Sequence, residues 1–181
     1  MFIPTATLTQ GGGGLTRIFD STLGADAANF DVTGIVGTYV ALQYILSGRC
    51  TTAAVAESVL LRMNNDSGAN YDDRRLYGNS GGAGASGTTA GTSMTIGQLA
   101  AANATAGRAG QLDGMLHNYA SAVFDKIVVT RYGEHGDTAS DLLAAVTSGI
   151  WLSTAAVTRL TFFPTANNFL AGSRLTLYGL P

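Results

Sequence analysis

Residues 63–75 of the chain read MNNDSGANYDDRR, with Asp66, Asp72, Asp73, Asn64, Asn65 and Asn70 grouped about one glycine, Gly68. A stretch of this composition is a metal loop, a set of catalytic carboxylates or a turn between strands. A calcium loop of the D-x-[DN]-x-[DN]-G type needs oxygens at alternate positions, glycine at the sixth place and a bidentate glutamate at the twelfth. Counted from Asp66, Gly68 comes too early and the twelfth position is Tyr77. Short Asn, Asp and Ser side chains instead bond their own backbone, and glycine accepts positive φ, which is turn chemistry. The stretch is predicted to be a hairpin turn, so the runs on either side of it should be strands.

The flanks agree. In VAESVLLRM (residues 55–63), Val59, Leu61 and Met63 face one way and Ser58, Leu60 and Arg62 the other. In TYVALQYILS (residues 38–47), Val40, Leu42, Tyr44 and Leu46 alternate with Tyr39, Ala41, Gln43 and Ile45. Both of its sides are apolar, which predicts a central strand covered on two faces. Further strands are expected at 14–19, 29–33, 74–77, 93–99, 111–119, 124–132, 142–152, 155–163 and 174–178. Residues 95–106 and 138–146 are the two places where a helical turn is expected. Strands at 8–15-residue spacing with polar, glycine-rich connections predict an all-β fold, an antiparallel β-sandwich or barrel.

The 181 residues fit one domain able to bury roughly 70% of its unfolded surface. Hydrophobic residues make up 46% and charged residues 12% of the chain, the latter about half the usual share. A net charge of −2 gives no electrostatic reason to expect nucleic acid or anionic membrane as a partner. Cys50 is the single cysteine, which excludes an internal disulfide framework and a cysteine-based zinc site. The start shows no basic segment followed by an apolar run, so folding in a cytoplasm is expected. Residues 1–14, MFIPTATLTQGGGG, form an N-terminal arm and glycine-rich hinge, and residues 15–181 a single sandwich domain. The arm is either a tail or a segment that orders against a neighbour. Residues 78–91, GNSGGAGASGTTAG, are expected to be a flexible surface loop.

Candidate chemistry is thin. Gly82-Ala83-Gly84-Ala85-Ser86-Gly87 matches G-x-G-x-x-G by letter, but no apolar strand precedes it and no helix follows, so it is not a dinucleotide site. His117 and His135 form no spaced metal pair, and no nucleophile elbow or Cys–His pair is present. Glu57 and Glu134 stand apart from the aspartates, so no acid–base carboxylate pair is visible. No catalytic residue, metal or cofactor is expected. Trp151, Phe162 and Phe163 are expected to be core, and Arg74 and Arg75 to pair with Asp72 or Asp73.

Several ordered motifs carry a resemblance. Residues 60–79, LLRMNNDSGANYDDRRLYGN, 148–164, SGIWLSTAAVTRLTFFP, and 167–180, NNFLAGSRLTLYGL, resemble segments of small β-sandwich proteins of tailed-bacteriophage virions. Residues 19–46 look like the first two strands of that family. The resemblance covers about residues 18–180 and implies a jelly-roll-like module carried on phage particles. It implies no catalytic residue. The expected function is therefore a non-enzymatic virion protein, made in the host cytoplasm, most simply a capsid decoration or cement protein. Its expected partners are the major capsid protein or other virion proteins, with a homo-oligomer, a trimer by preference. Phe2, Ile3 and Leu8 of the arm are the expected interface residues. The alternative is a tail- or fibre-associated receptor module, with Tyr71, Asp72, Asp73 and Tyr77 contacting a glycan.

Overall fold

A computed structural model describes residues 14–136 and 142–181. Twelve strands follow in chain order. The first six are β1 (Thr16–Thr22), β2 (Phe30–Thr33), β3 (Ala41–Gly48), β4 (Ala56–Met63), β5 (Tyr71–Asn79) and β6 (Gly82–Gly91). The rest are β7 (Met94–Ala100), β8 (Gly110–His117), β9 (Lys126–His135), β10 (Leu142–Trp151), β11 (Arg159–Pro164) and β12 (Arg174–Leu180). All pairings between these strands are antiparallel, in an eight-stranded sheet of order β1-β12-β3-β8-β9-β10-β5-β6 and a four-stranded sheet of order β2-β11-β4-β7. The protein is an all-β antiparallel sandwich.

The pairing pattern identifies the sandwich type. β1 pairs with β12, β2 with β11, β3 with β8 and β4 with β7. First-with-last pairing of this kind is one long strip of antiparallel pairs. The β12–β3 and β11–β4 pairings roll that strip into two sheets. These eight strands form a double-sheet jelly roll. The remaining four, β9-β10-β5-β6, widen one sheet beyond it. β5 and β6 lie in the chain between the paired strands β4 and β7, and β9 and β10 between β8 and β11.

The core fills the space between sheets with alternate side chains, as period-2 geometry requires. Leu42, Tyr44 and Leu46 of β3 and Val59, Leu61 and Met63 of β4 are at most 1% exposed. Fully burying one such side chain stabilises the fold by about 1.5–3 kcal/mol. The Tyr44 ring meets Phe162 edge-on at 5.0 Å, and its hydroxyl bonds Thr130 at 2.5 Å. It lies directly across from Gly114, where a Cβ would sit 2.1 Å from the ring. The same device recurs at Tyr77 over Gly84, its register partner in β6. Glycine leaves the room, and the neighbouring tyrosine supplies the volume.

Three expectations are corrected. Residues 78–91 are not a flexible loop: most of them form β6 and the hairpin into it, laddered to β5 from Tyr71 to Asn79. β6 has small side chains because long ones from β5 cover it: Tyr77 over Gly84 on one face, Arg74 over Gly87 on the other. No helix occurs among the described residues: 95–100 belong to β7 and 142–146 to β10, while 138–141 lie outside the described residues. In β3 only one face is fully covered, since Gln43, Ile45 and Ser47 on the other are half-buried.

The opening stretch is a turn, but it joins the two sheets instead of closing a hairpin, because β4 and β5 lie in different sheets. Asn64 and Asn65 have φ of 50° and 59°, and Asp66 N–H bonds Met63 O at 2.9 Å. Successive left-handed residues define this tight turn, and asparagine tolerates that region. The Asn64 amide donates to Ala156 O and its oxygen accepts from Thr158 N and Arg159 N. Asp66 accepts from Gly68 N at 2.8 Å, Asn70 Nδ2 at 2.9 Å and Trp151 Nε1 at 2.7 Å.

Candidate interaction surface

Polar side chains predicted to act as site residues serve the fold. Tyr71, proposed as a glycan contact, is 0% exposed. Its ring stacks on Trp151 at 6.3 Å, and its hydroxyl donates toward Met63 O and Asp66 O. Burial pushes this phenol up to about 12. A ring with no free face cannot stack on a sugar, so that expectation is corrected for Tyr71. Asp73, 5% exposed, accepts from Thr88 N and Thr95 N and so fastens β5 to β6 and β7. Asp72 accepts from Ala90 N. Tyr77 is half-buried with the Arg75 guanidinium 4.4 Å above its ring. The four residues do not converge, because alternation sends Asp72 to the opposite face from the other three. Phe2, Ile3 and Leu8 lie outside the described residues.

The remaining candidates resolve similarly. Arg74 donates to Asp73 O and Thr88 O and Arg75 to Tyr132 OH, in place of the expected aspartate pairs. Trp151 and Phe162 are core, at 3% and 0% exposure, while Phe163 is half-buried beneath Arg62. His117 and His135 stand at opposite ends of the β8–β9 ladder. Among the described residues no group of three or more His, Cys, Asp or Glu is placed to hold a metal ion.

A cleft of about 590 Å³ lies between Gly48–Thr51, Ala102–Ala109 and Leu170–Ser173. Both of its arginines are committed: Arg49 donates to the carbonyls of Ala102, Ala104, Thr105 and Arg108 and so holds that loop in place, and Arg108 donates to Gly136 O. Cys50 beneath it is 1% exposed, and burial pushes its thiol up to about 12, far from a reactive thiolate. A smaller groove of about 220 Å³ is polar, with Ser58, Asp73, Arg75, Ser86, Thr88 and Gln98 on its walls.

The feature that sequence reasoning missed is the outer face of the widened sheet. Ile127 and Val129 of β9, Val146 of β10 and Leu76 of β5 point outward with 45–67% exposure. They adjoin in two pairs: Val146 lies opposite Leu76, and Ile127 and Val129 stand two residues apart on β9, with Val129 diagonal to Val146, Arg131 directly opposite Val146, Ser148 opposite Val129 and Ile150 opposite Ile127. The outer face of the jelly-roll part of the same sheet is polar. There Asp20 binds Arg174 at 2.7 Å and Arg17 at 3.2 Å, and Gln43 donates to Asp113 at 2.9 Å. Arg174 is the leading cause holding the Asp20 carboxyl below its ordinary value. The signal in the sequence was the two-sided apolarity of KIVVT at the start of β9. A comparison of the chain with protein-family models, characterised proteins and solved structures finds no match.

Proposed function

We propose that the protein is a non-enzymatic structural component of a tailed-bacteriophage virion, a decoration or cement subunit that packs on the outer capsid shell. The observation that carries this reading is the outward apolar face of β9, β10 and β5, on a domain whose buried Tyr71 and Asp73 serve structural bonds. A surface of that kind suits permanent packing in an assembly. The jelly-roll pairing supports the resemblance noted in the sequence, since viral capsid domains are among the users of this architecture. The receptor-binding alternative loses its anchoring aromatic with Tyr71 in the core. In this proposal Phe2, Ile3 and Leu8 of the arm hold the shell.

The test is quantitative mass spectrometry of purified particles, with copies of this chain counted per major capsid protein. A ratio near one, or a simple lattice fraction, is expected. A handful of copies per particle would move the protein to a vertex or the tail and overturn the decoration reading. Deleting residues 1–14 is expected to abolish particle binding while leaving the melting temperature of the isolated protein unchanged.

A further inference from the structure

We propose that the outer face of β9–β10–β5, with the tip of the β8–β9 connection, is an interface between two copies of this chain related by a twofold axis. The inference rests on the reading of the protein as an assembling subunit and names the partner of its apolar face.

Area comes first. Ile127, Val129, Val146 and Leu76 are joined by Val123 and Phe124, which are 72% and 64% exposed. Six large apolar side chains at such exposure present on the order of 600 Å² of apolar surface, at the upper end of what a solvated monomer carries. A stable dimer contributes about 800 Å² per partner, which this patch and its polar rim supply together.

The patch is also held in place. Lys126, directly after the loop, is 0% exposed, and its ammonium donates to Ser121 O at 2.8 Å and Phe124 O at 2.6 Å. The Ser121 hydroxyl accepts from Val123 N and Phe124 N. A desolvated lysine and a serine thus fix the turn that displays Val123 and Phe124. Presenting these residues in a fixed conformation lowers the ordering cost of association.

Charge selects the partner. The rim carries Arg131, paired with Asp113 at 2.6 Å, and two unlike charges on β5, Arg74, bonded to backbone carbonyls, and Asp72 two positions before it. Both signs are present in near balance, whereas a nucleic acid or other strongly charged partner would call for one sign. A copy turned through a twofold brings the same mixed rim and the same flat apolar centre, the self-complementarity of an isologous contact. Small residues between the large ones, such as Ser148 and Ala144, let two sheet faces approach to the roughly 10 Å of sheet-on-sheet packing. A twofold contact gives a dimer as the unit of assembly, not the trimer favoured from the sequence.

The experiment is sedimentation equilibrium of the full chain from about 1 to 100 µM. The wild type is expected to approach twice its 18.5 kDa mass. Val146→Asp should remain monomeric across the range with its far-UV circular dichroism and melting temperature intact, a weakening of at least 100-fold. If Val146→Asp fails to fold, Leu76→Lys, at the more exposed position, is measured instead. A wild type that stays monomeric at 100 µM overturns the proposal. So does a dimer that survives both substitutions, or one lost only when residues 1–14 are removed. Particle stoichiometry is measured separately, so a failed dimer and a failed virion assignment are distinct results.

Discussion

Asp66→Ala tests whether the turn between the sheets is the structural joint described above. Asp66 takes three hydrogen bonds, from Gly68 N, Asn70 Nδ2 and Trp151 Nε1. The indole belongs to a side chain only 3% exposed, so removing the carboxylate strands a buried N–H at a cost of about 1–3 kcal/mol. The other two bonds are nearer solvent, and losing them adds roughly 0.5–1 kcal/mol each. The expected destabilisation is about 2–5 kcal/mol, which lowers Tm by about 4–20 °C in a protein of this length. Urea denaturation followed by far-UV circular dichroism measures it. A double-mutant cycle with Trp151→Phe isolates the buried bond, because phenylalanine keeps the stacking on Tyr71 but has no donor. A coupling of about 1–2 kcal/mol is expected between the two positions.

The same residue sets a pH signature. Bonds from Asn70, Trp151 and Gly68, in that order, hold the Asp66 carboxyl below its ordinary value. A group with a depressed folded pKa contributes stability fully present above its unfolded pKa, about 3.9, and lost as pH falls through the folded value. The difference between wild type and Asp66→Ala should therefore be constant from about pH 7 to pH 5 and shrink below about pH 4. A coupling near zero, or a difference independent of pH down to about pH 2, would refute the account of this joint.

Two further outcomes follow from the packing. Gly114→Ala places a Cβ 2.1 Å from the Tyr44 ring and should cost about 1–3 kcal/mol by overpacking, whereas Gly78→Ala, with nothing within 4 Å, should leave Tm within a degree or two. Cys50, buried and with its thiol pushed up to about 12, should resist a thiol reagent at pH 8 in the native protein and react fully in denaturant; rapid labelling of the folded chain would contradict the packing around it.

Alternation along single strands was legible, and strands such as β3, β4, β11 and β12 emerge close to where the pattern puts them. The turn at 63–66 was also legible, because Asn and Asp announce it locally. Its destination was not: which sheet receives β5 depends on partners 80 or so residues away, such as Trp151 bonding Asp66. β6 was hidden because its volume belongs to another strand. Gly84 and Gly87 look like loop residues until Tyr77 and Arg74 are laid across them. Tyr71 reads as a surface aromatic beside Asp72 and Asp73, yet period-2 geometry turns it inward onto Trp151. Apolar residues on both sides of a strand read as cover within the domain. For β9 they mark a face that the domain itself leaves open.

The pairing of β1 with β12 places Thr16 opposite Gly179, so the two ends of the sandwich lie side by side on one rim, about 5 Å apart across an antiparallel pair. A domain with neighbouring ends can be spliced into the surface loop of another protein through short linkers, or re-cut so that its old ends are fused and new ones opened in an exposed turn. Cargo attached at either end would emerge from the same rim, at the far side of the sheet from β6. The fold is in that sense a ready-made insertion cassette: what is fastened to its ends need not obstruct what its broad face touches.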